Sequence, residues 1–194
     1  MIISAIILAA GESKRMGQPK LLLPWGETTV LGQVISVLRS SGVEDIVTVT
    51  GGFREQVEVV AEQYRSQVVF NAEFTSNEML RSIQLGLGSL KPEVEATLIC
   101  LGDQPQIQEG SVRKVCEAFQ KSRSNLVVPS YQLRRGHPWL VARPLWDEIL
   151  TMRSPRSPRD FLNAHAGEIE YVEIDNSSVL EDLDTPEDYL KFKP

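Results

Sequence analysis

Five short, unbroken apolar runs recur along the chain: IISAIILAA (2–10), DIVTVTG (45–51), QVVFN (67–71), ATLICLGD (96–103) and NLVVPS (125–130). Each is rich in β-branched residues and continuous rather than alternating, as strands covered on both faces are. The stretches between them repeat apolar residues at helical spacing. In TTVLGQVISVLRSSG, Val30, Leu31, Val34, Ile35 and Leu38 share one face, and Gly42 is placed to stop the helix. FREQVEVVAEQYRS, EMLRSIQLGLGSL and EGSVRKVCEAFQKS read the same way. This alternation predicts a three-layer α/β/α fold whose central sheet is mostly parallel, with right-handed crossovers.

The pattern changes after residue 130. Prolines at 138, 144, 155, 158 and 186 break the chain, which predicts short elements, among them a strand WLVA, added around one end of the sheet. A last strand, IEYVEID (169–175), and a closing helix from DTPEDYLKF complete the pattern, with Asp184 as the expected N-cap and Glu187 three positions on as its capping-box partner. The 194 residues are expected to form one domain, 1–194, with no internal repeat.

Composition excludes several classes. The chain is 42% hydrophobic and 24% charged, and no apolar stretch approaches the roughly 20 residues of a membrane span. MIISAIIL lacks a basic leader region and runs into Glu12, so a cytoplasmic protein is expected. Cys100 and Cys116 form no CxxC pair and read as packing residues. A net charge of −6 and a pI near 5.1 argue against a nucleic-acid partner. A cationic loop on such an acidic chain points instead to capture of a small anion.

That loop is LAAGESKRMGQPK (8–20), directly after the first strand. In an open parallel sheet ligands bind beyond the carboxyl ends of the strands. Gly11 and Gly17 permit positive φ and close approach of backbone N–H groups to a phosphate, while Lys14, Arg15 and Lys20 supply positive charge. The spacing is neither a Walker A loop nor GxGxxG. A mobile loop with solvated charges is the competing reading. LICLGDQPQI ends another strand in Asp103, and a carboxylate beside phosphates requires a bridging divalent cation such as Mg²⁺, unless GDQP is only a turn. In LEDLDTPEDY, Asp182 and Asp184 alternate along an extended segment, and either is placed to complete a metal's shell.

LAAGESKRMGQPK, CLGDQPQI, RRGHPWL and DLDTPEDY, in that order, resemble the MobA/MocA-type nucleotidyltransferases, in particular the molybdenum cofactor cytidylyltransferase branch, over nearly the whole chain. The resemblance implies a Rossmann-like nucleotidyltransferase fold, with a nucleotide half at about 1–130 and acceptor-side elements at about 131–175. It implies CTP, or less favoured GTP, as donor, Mg²⁺ as cofactor and a molybdopterin-type phosphate as acceptor, with a molybdoenzyme or chaperone as a further partner. Carried onto matching positions, Leu8, Ala9, Ala10 and Gly11 contact base and ribose, Arg15 and Lys20 the triphosphate, and Gly17, Ser82 and Gly102 complete the nucleotide site. Lys20, Arg15 and Asp103 are the catalytic set, Asp103 and Asp184 the metal ligands, and His137, Arg159 and Asp182 the acceptor side. Relatives carry a Gly where this chain has Asn77, although Asn71, Ser82 and Gly86 fit the pattern, and the acceptor-side GDxGxR is replaced by MRSPRSPRDFL.

The implied chemistry is in-line attack of an acceptor phosphate oxygen on the α-phosphorus, with pyrophosphate leaving. It requires alignment and charge neutralisation rather than acid/base groups. His137 and His165 belong to no nucleophilic triad; His137 either holds the acceptor or shapes a turn, and His165 reads as a helix-end residue. Arg153, Arg156 and Arg159 either clasp acceptor phosphates or are solvated, and Trp25, Trp139 and Trp146 read as packing residues. The alternatives are guanylyl transfer, transfer to a sugar phosphate or another phosphate, and a non-catalytic nucleotide-binding partner of a cofactor-insertion protein.

Overall fold

The structure is a computed structural model and describes residues 1–76 and 79–194. In chain order its elements are β1 (Ile3–Ala9), β2 (Pro24–Trp25), β3 (Thr28–Thr29), α1 (Val30–Ser40), β4 (Asp45–Thr50), α2 (Arg54–Gln63), β5 (Gln67–Phe70), α3 (Met79–Ser89), β6 (Ala96–Leu101) and α4 (Glu109–Ser122). They continue with β7 (Leu126–Tyr131), β8 (Arg134–Arg135), β9 (Trp139–Ala142), α5 (Trp146–Thr151), α6 (Pro158–Ala164), β10 (Glu170–Glu173) and α7 (Pro186–Phe192). Among the described residues no helix is long and apolar enough to cross a membrane.

The main sheet runs β10-β7-β9-β6-β1-β4-β5, with β8 paired to β7. β1 lies in the middle, parallel to both neighbours, with Leu8 in register with Val49 and Leu101. The carboxyl ends of β1, β4 and β6 therefore finish side by side. Because strand side chains alternate between faces, Ala5, Ile7 and Ala9 of β1 join the core under α1 and α4, while Ile6 joins the core under α3, α5 and α6. Ile6 and Ile7 are both fully buried, each contributing roughly 1.5–3 kcal/mol of transfer free energy. The unbroken apolar run in β1 is thus the mark of a strand with a core on each side.

Residues 131–175 depart from the expected arrangement. They do not simply add elements at one end of the sheet: Trp139–Ala142 enters between β6 and β7 and runs antiparallel to both. The hairpin through β8 turns the chain back after β7, and four consecutive buried residues let β9 occupy an interior position. Trp139, Trp146 and Trp25 are all buried, in agreement with packing roles.

Two helix termini show how the sequence is read locally. At α1 the Thr29 hydroxyl accepts from Gly32 N at 3.1 Å, and the chain leaves the helix through Gly42 with φ 90°. At α7 the N-cap is Thr185, not Asp184: Thr185 Oγ1 accepts from Asp188 N at 3.2 Å, and Asp188 Oδ2 accepts from Thr185 N at 2.9 Å. Pro186 takes the first helical position, where its missing N–H costs nothing, so the cap falls one residue later than expected. The Asp184 carboxylate is thereby released from capping.

Candidate active site

One cleft sits on the carboxyl ends of β1 and β6. Leu8, Ala9, Ala10, Gly11, Arg15, Lys20, Ser82, Asp103, Asp182 and Asp184 all line it. The loop after β1 is tethered rather than freely mobile. Met16 is buried in the core, Met16 N and Gly17 N donate to Ser13 O, and Ser13 Oγ accepts from Lys20 N at 3.2 Å. Ser13 and Gly17 take positive φ, 51° and 69°, while Gly11 does not. Gly51, at the end of β4, permits the close approach of this loop: a Cβ there would lie 2.6 Å from Ala10 O. Buried Leu21 then anchors the 3-10 turn Lys20–Leu22, which turns Lys20 inward.

Lys20 Nζ donates to Asp103 Oδ2 in a short contact and lies 3.3 Å from Asp184 Oδ1. Arg15 reaches Asp184 Oδ2 at 2.8 Å. The cationic turn and the acid at 103 thus converge on one point, 83 residues apart in the chain. The segment carrying Asp182 and Asp184 is pinned by the backbone bond Leu183 N to Asp103 O, 3.0 Å.

Oxygens of Asp103, Asp182 and Asp184 all lie within 4.8 Å of one another. Partial burial, and then the charges of Asp103 and Asp184, push Asp182 above the usual carboxylate range. Three carboxylates against the two cations Lys20 and Arg15 leave an excess negative charge. An all-oxygen donor set of this kind fits a hard divalent cation.

The predicted site residues do not all fall together. Gly17 and Gly102 are not among the lining residues; Gly102 N donates to Leu8 O at 3.1 Å and ties β6 to β1 below the floor. Asp182 stands with the other two acids, apart from His137 and Arg159. His137 is not among the residues lining the cleft; its backbone N–H donates to Val179 O at 2.8 Å, and burial pulls its pKa down to about 4, so the ring is neutral near pH 7. Arg159 lines a neighbouring cavity with Arg156 and Pro155, which shares Met79 with the main cleft. Lys14 pairs with Glu12 at 2.7 Å and stays largely solvated. Asn77 lies outside the described residues. Ser13, Asn71, Phe74 and Met79 line the cleft without having been expected to; of these only Asn71 carried a sequence signal, its fit to the family pattern.

His165 closes α6. Its Nε2 lies 2.8 Å from Glu148 and its Nδ1 3.3 Å from Glu168, while Glu148 also faces Arg156 at 3.7 Å. The hydrogen bond to Glu148, ahead of the one to Glu168, raises the His165 pKa despite its burial. A folded pKa above the unfolded value of about 6.5 means the stabilisation is complete below that pH and lost as pH rises through the folded value. Thermal melts of wild type and His165→Gln should therefore differ most below about pH 6.5 and converge as pH rises through the folded value. The difference should be about 0.5 kcal/mol, or about 1–2 °C in a chain of this size. A constant difference across that range would show that the imidazolium contributes nothing.

A mostly parallel sheet that carries an anion loop and an acid cluster at the carboxyl ends of its central strands defines a nucleotide-handling α/β protein. Residues 5–169 match the MobA-like NTP transferase domain, and the chain belongs to that family of nucleotidyltransferases. It is 28% identical over 192 residues to the molybdenum cofactor cytidylyltransferase of Escherichia coli (strain K12), covering 98% of this chain and 95% of that one. It is 26% identical over 198 residues to the nicotine blue oxidoreductase of Paenarthrobacter nicotinovorans, covering 98% and 96%. Among solved structures, Rv0371c of Mycobacterium tuberculosis H37Rv in complex with manganese superposes with a TM-score of 0.84 at 25% identity, covering 100% of this chain and 98% of that one.

Proposed function

We propose that the protein transfers CMP from CTP to the terminal phosphate of a molybdopterin-type cofactor, with release of pyrophosphate. The observation that carries this reading is the meeting of Lys20 and Arg15 with Asp103 and Asp184 in one cleft. Similarity along nearly the whole length of the Escherichia coli cytidylyltransferase supports the choice of donor and acceptor.

In this reading an acceptor phosphate oxygen forms a bond to the α-phosphorus while the bond from that phosphorus to the bridging oxygen of pyrophosphate breaks. Lys20 and Arg15 exchange their carboxylate partners for phosphate oxygens, which aligns the triphosphate and neutralises charge as it moves to the leaving group. Asp103, with Asp182 and Asp184, would hold Mg²⁺ or Mn²⁺, the acidic donor set and the manganese complex of Rv0371c both favouring such an ion. When bound, that ion offsets the repulsion between carboxylates and phosphates and polarises the phosphate oxygens. Leu8, Ala9, Ala10, Gly11 and Ser82 take the nucleoside end. Arg156 and Arg159, in the adjoining cavity, take the acceptor's phosphate.

The test is to incubate the protein with Mg²⁺ or Mn²⁺, each of the four nucleoside triphosphates, and molybdopterin or its molybdenum form, and to measure pyrophosphate. CTP with the pterin should turn over. Turnover with GTP in place of CTP would make it a guanylyltransferase, and turnover with sugar phosphates alone would reassign the acceptor. Nucleotide binding without pyrophosphate would leave a non-catalytic partner of a cofactor-insertion protein.

A further inference from the structure

We propose that Asn71 is a positioning residue that fixes the direction of the Ser82 hydroxyl, making Ser82 a hydrogen-bond donor to the nucleotide base. This inference rests on the reading of the cleft as a nucleoside triphosphate site. Asn71 follows β5 and Ser82 lies in α3; they are 2% and 5% exposed, and both line the cleft. Asn71 Oδ1 accepts from Glu73 N at 3.0 Å, and Asn71 Nδ2 donates to Ser82 Oγ at 3.0 Å. The orientation of the amide is thereby settled, because a flipped amide would set N–H against N–H at the backbone of Glu73. The backbone of Asn71 is held as well, by its N–H to Thr50 O at 2.8 Å.

A hydroxyl carries one hydrogen and two lone pairs. With one lone pair taken by Asn71, the Ser82 hydrogen must find its own acceptor, and among the described residues none is present. Ser82 lines the cleft, so a bound ligand there is in reach of that hydrogen and spares a buried donor the cost of going unpaired. The chemistry of this wall selects the part of the nucleotide that meets it. Lys20, Arg15 and the three acids supply the charged end, whereas Asn71, Ser82, Phe74 and Met79 are uncharged and suit a flat heterocycle with carbonyl and ring-nitrogen acceptors. The O2 and N3 atoms of cytosine are acceptors of this kind.

Affinities of CTP and of ribose 5-triphosphate, which keeps sugar and phosphates but has no base, test the proposal by calorimetric titration. Asn71→Asp is isosteric, but its carboxylate would accept the Ser82 hydrogen and turn it away from the cleft. The ratio of the two affinities cancels the effect of the added charge on the phosphates. That ratio should fall about tenfold in Ser82→Ala, about tenfold in Asn71→Asp, and no further in the double variant. Asn71→Ala, which only releases the hydroxyl, should lower it about threefold and serves if the aspartate variant does not fold. An unchanged ratio in the Asn71 variants, or a second full loss in the double variant, overturns the proposal. Wild-type protein that binds neither ligand would instead overturn the nucleotide reading on which it rests.

Discussion

Asp103→Asn is expected to lower turnover by a factor of about 10³ while leaving the fold in place, a loss in the range seen when one preorganised charge is removed from a reacting centre. The substitution keeps size and shape and removes only the negative charge. The backbone carbonyl of residue 103, not its side chain, holds Leu183, so the acid segment stays where it is. Lys20 keeps Asp184 as a partner at 3.3 Å, so no cation is left unpaired in the partly buried cleft. What disappears is the acid at the end of β6 around which the other two are gathered. The checks are pyrophosphate release and the thermal shift produced by Mn²⁺. Wild type should be stabilised by the ion and the variant hardly at all, since a ligand stabilises only in proportion to its occupancy of the folded state. Unchanged turnover together with an unchanged shift would remove Asp103 from the site.

The sequence made the strands legible and hid their order. β1, β4 and β6 carry cores on both faces, so their apolar runs are continuous and easily recognised; the anion loop and Asp103 follow at their ends because strand ends are where a parallel sheet binds. β9 is different. WLVA is four residues long and flanked by prolines, so nothing local distinguishes an interior antiparallel strand from a short appendage; its position is decided by pairing with β6 and β7, which are distant in sequence. The cap of α7 was misplaced by one residue because Asp184 and Thr185 are both good caps, and only the position of Pro186 discriminates between them. Asp182 illustrates a further limit: its alternation with Asp184 was visible, yet its company with Asp103 comes from tertiary contacts such as the backbone bond from Leu183 to Asp103, 80 residues away in the chain. Asn71 was visible only as a match to a family pattern, because its role lies in a hydrogen bond to a residue 11 positions away. The proposed acceptor side was least legible, since MRSPRSPRDFL replaces the family's motif, and Arg156 and Arg159 gain meaning only from the cavity they border.

Lys20→Ala should weaken CTP binding by about 30-fold and CMP binding by less than about threefold, a contrast expected because a charge-assisted hydrogen bond to phosphate contributes about 1.5–3 kcal/mol. The lysine can make that bond only if the nucleotide has phosphates beyond the first within its reach. Its present partners give the substitution a second consequence. In the free protein Lys20 neutralises Asp103 and Asp184, the carboxylates proposed to hold the divalent ion, so lysine and ion compete for the same oxygens. Removing the ammonium group leaves three acids facing the single cation Arg15, itself largely exposed. Mn²⁺ affinity measured without nucleotide should therefore rise in Lys20→Ala, even as CTP affinity falls. Like-charge repulsion alone predicts this sign: the metal gains Asp103 stripped of its counter-ion and Asp184 paired with Arg15 alone, whereas the triphosphate meets a less compensated acid cluster. Equal losses for CTP and CMP would show that Lys20 does not reach the β- or γ-phosphate, and unchanged Mn²⁺ binding would show that the lysine and the ion occupy separate sites.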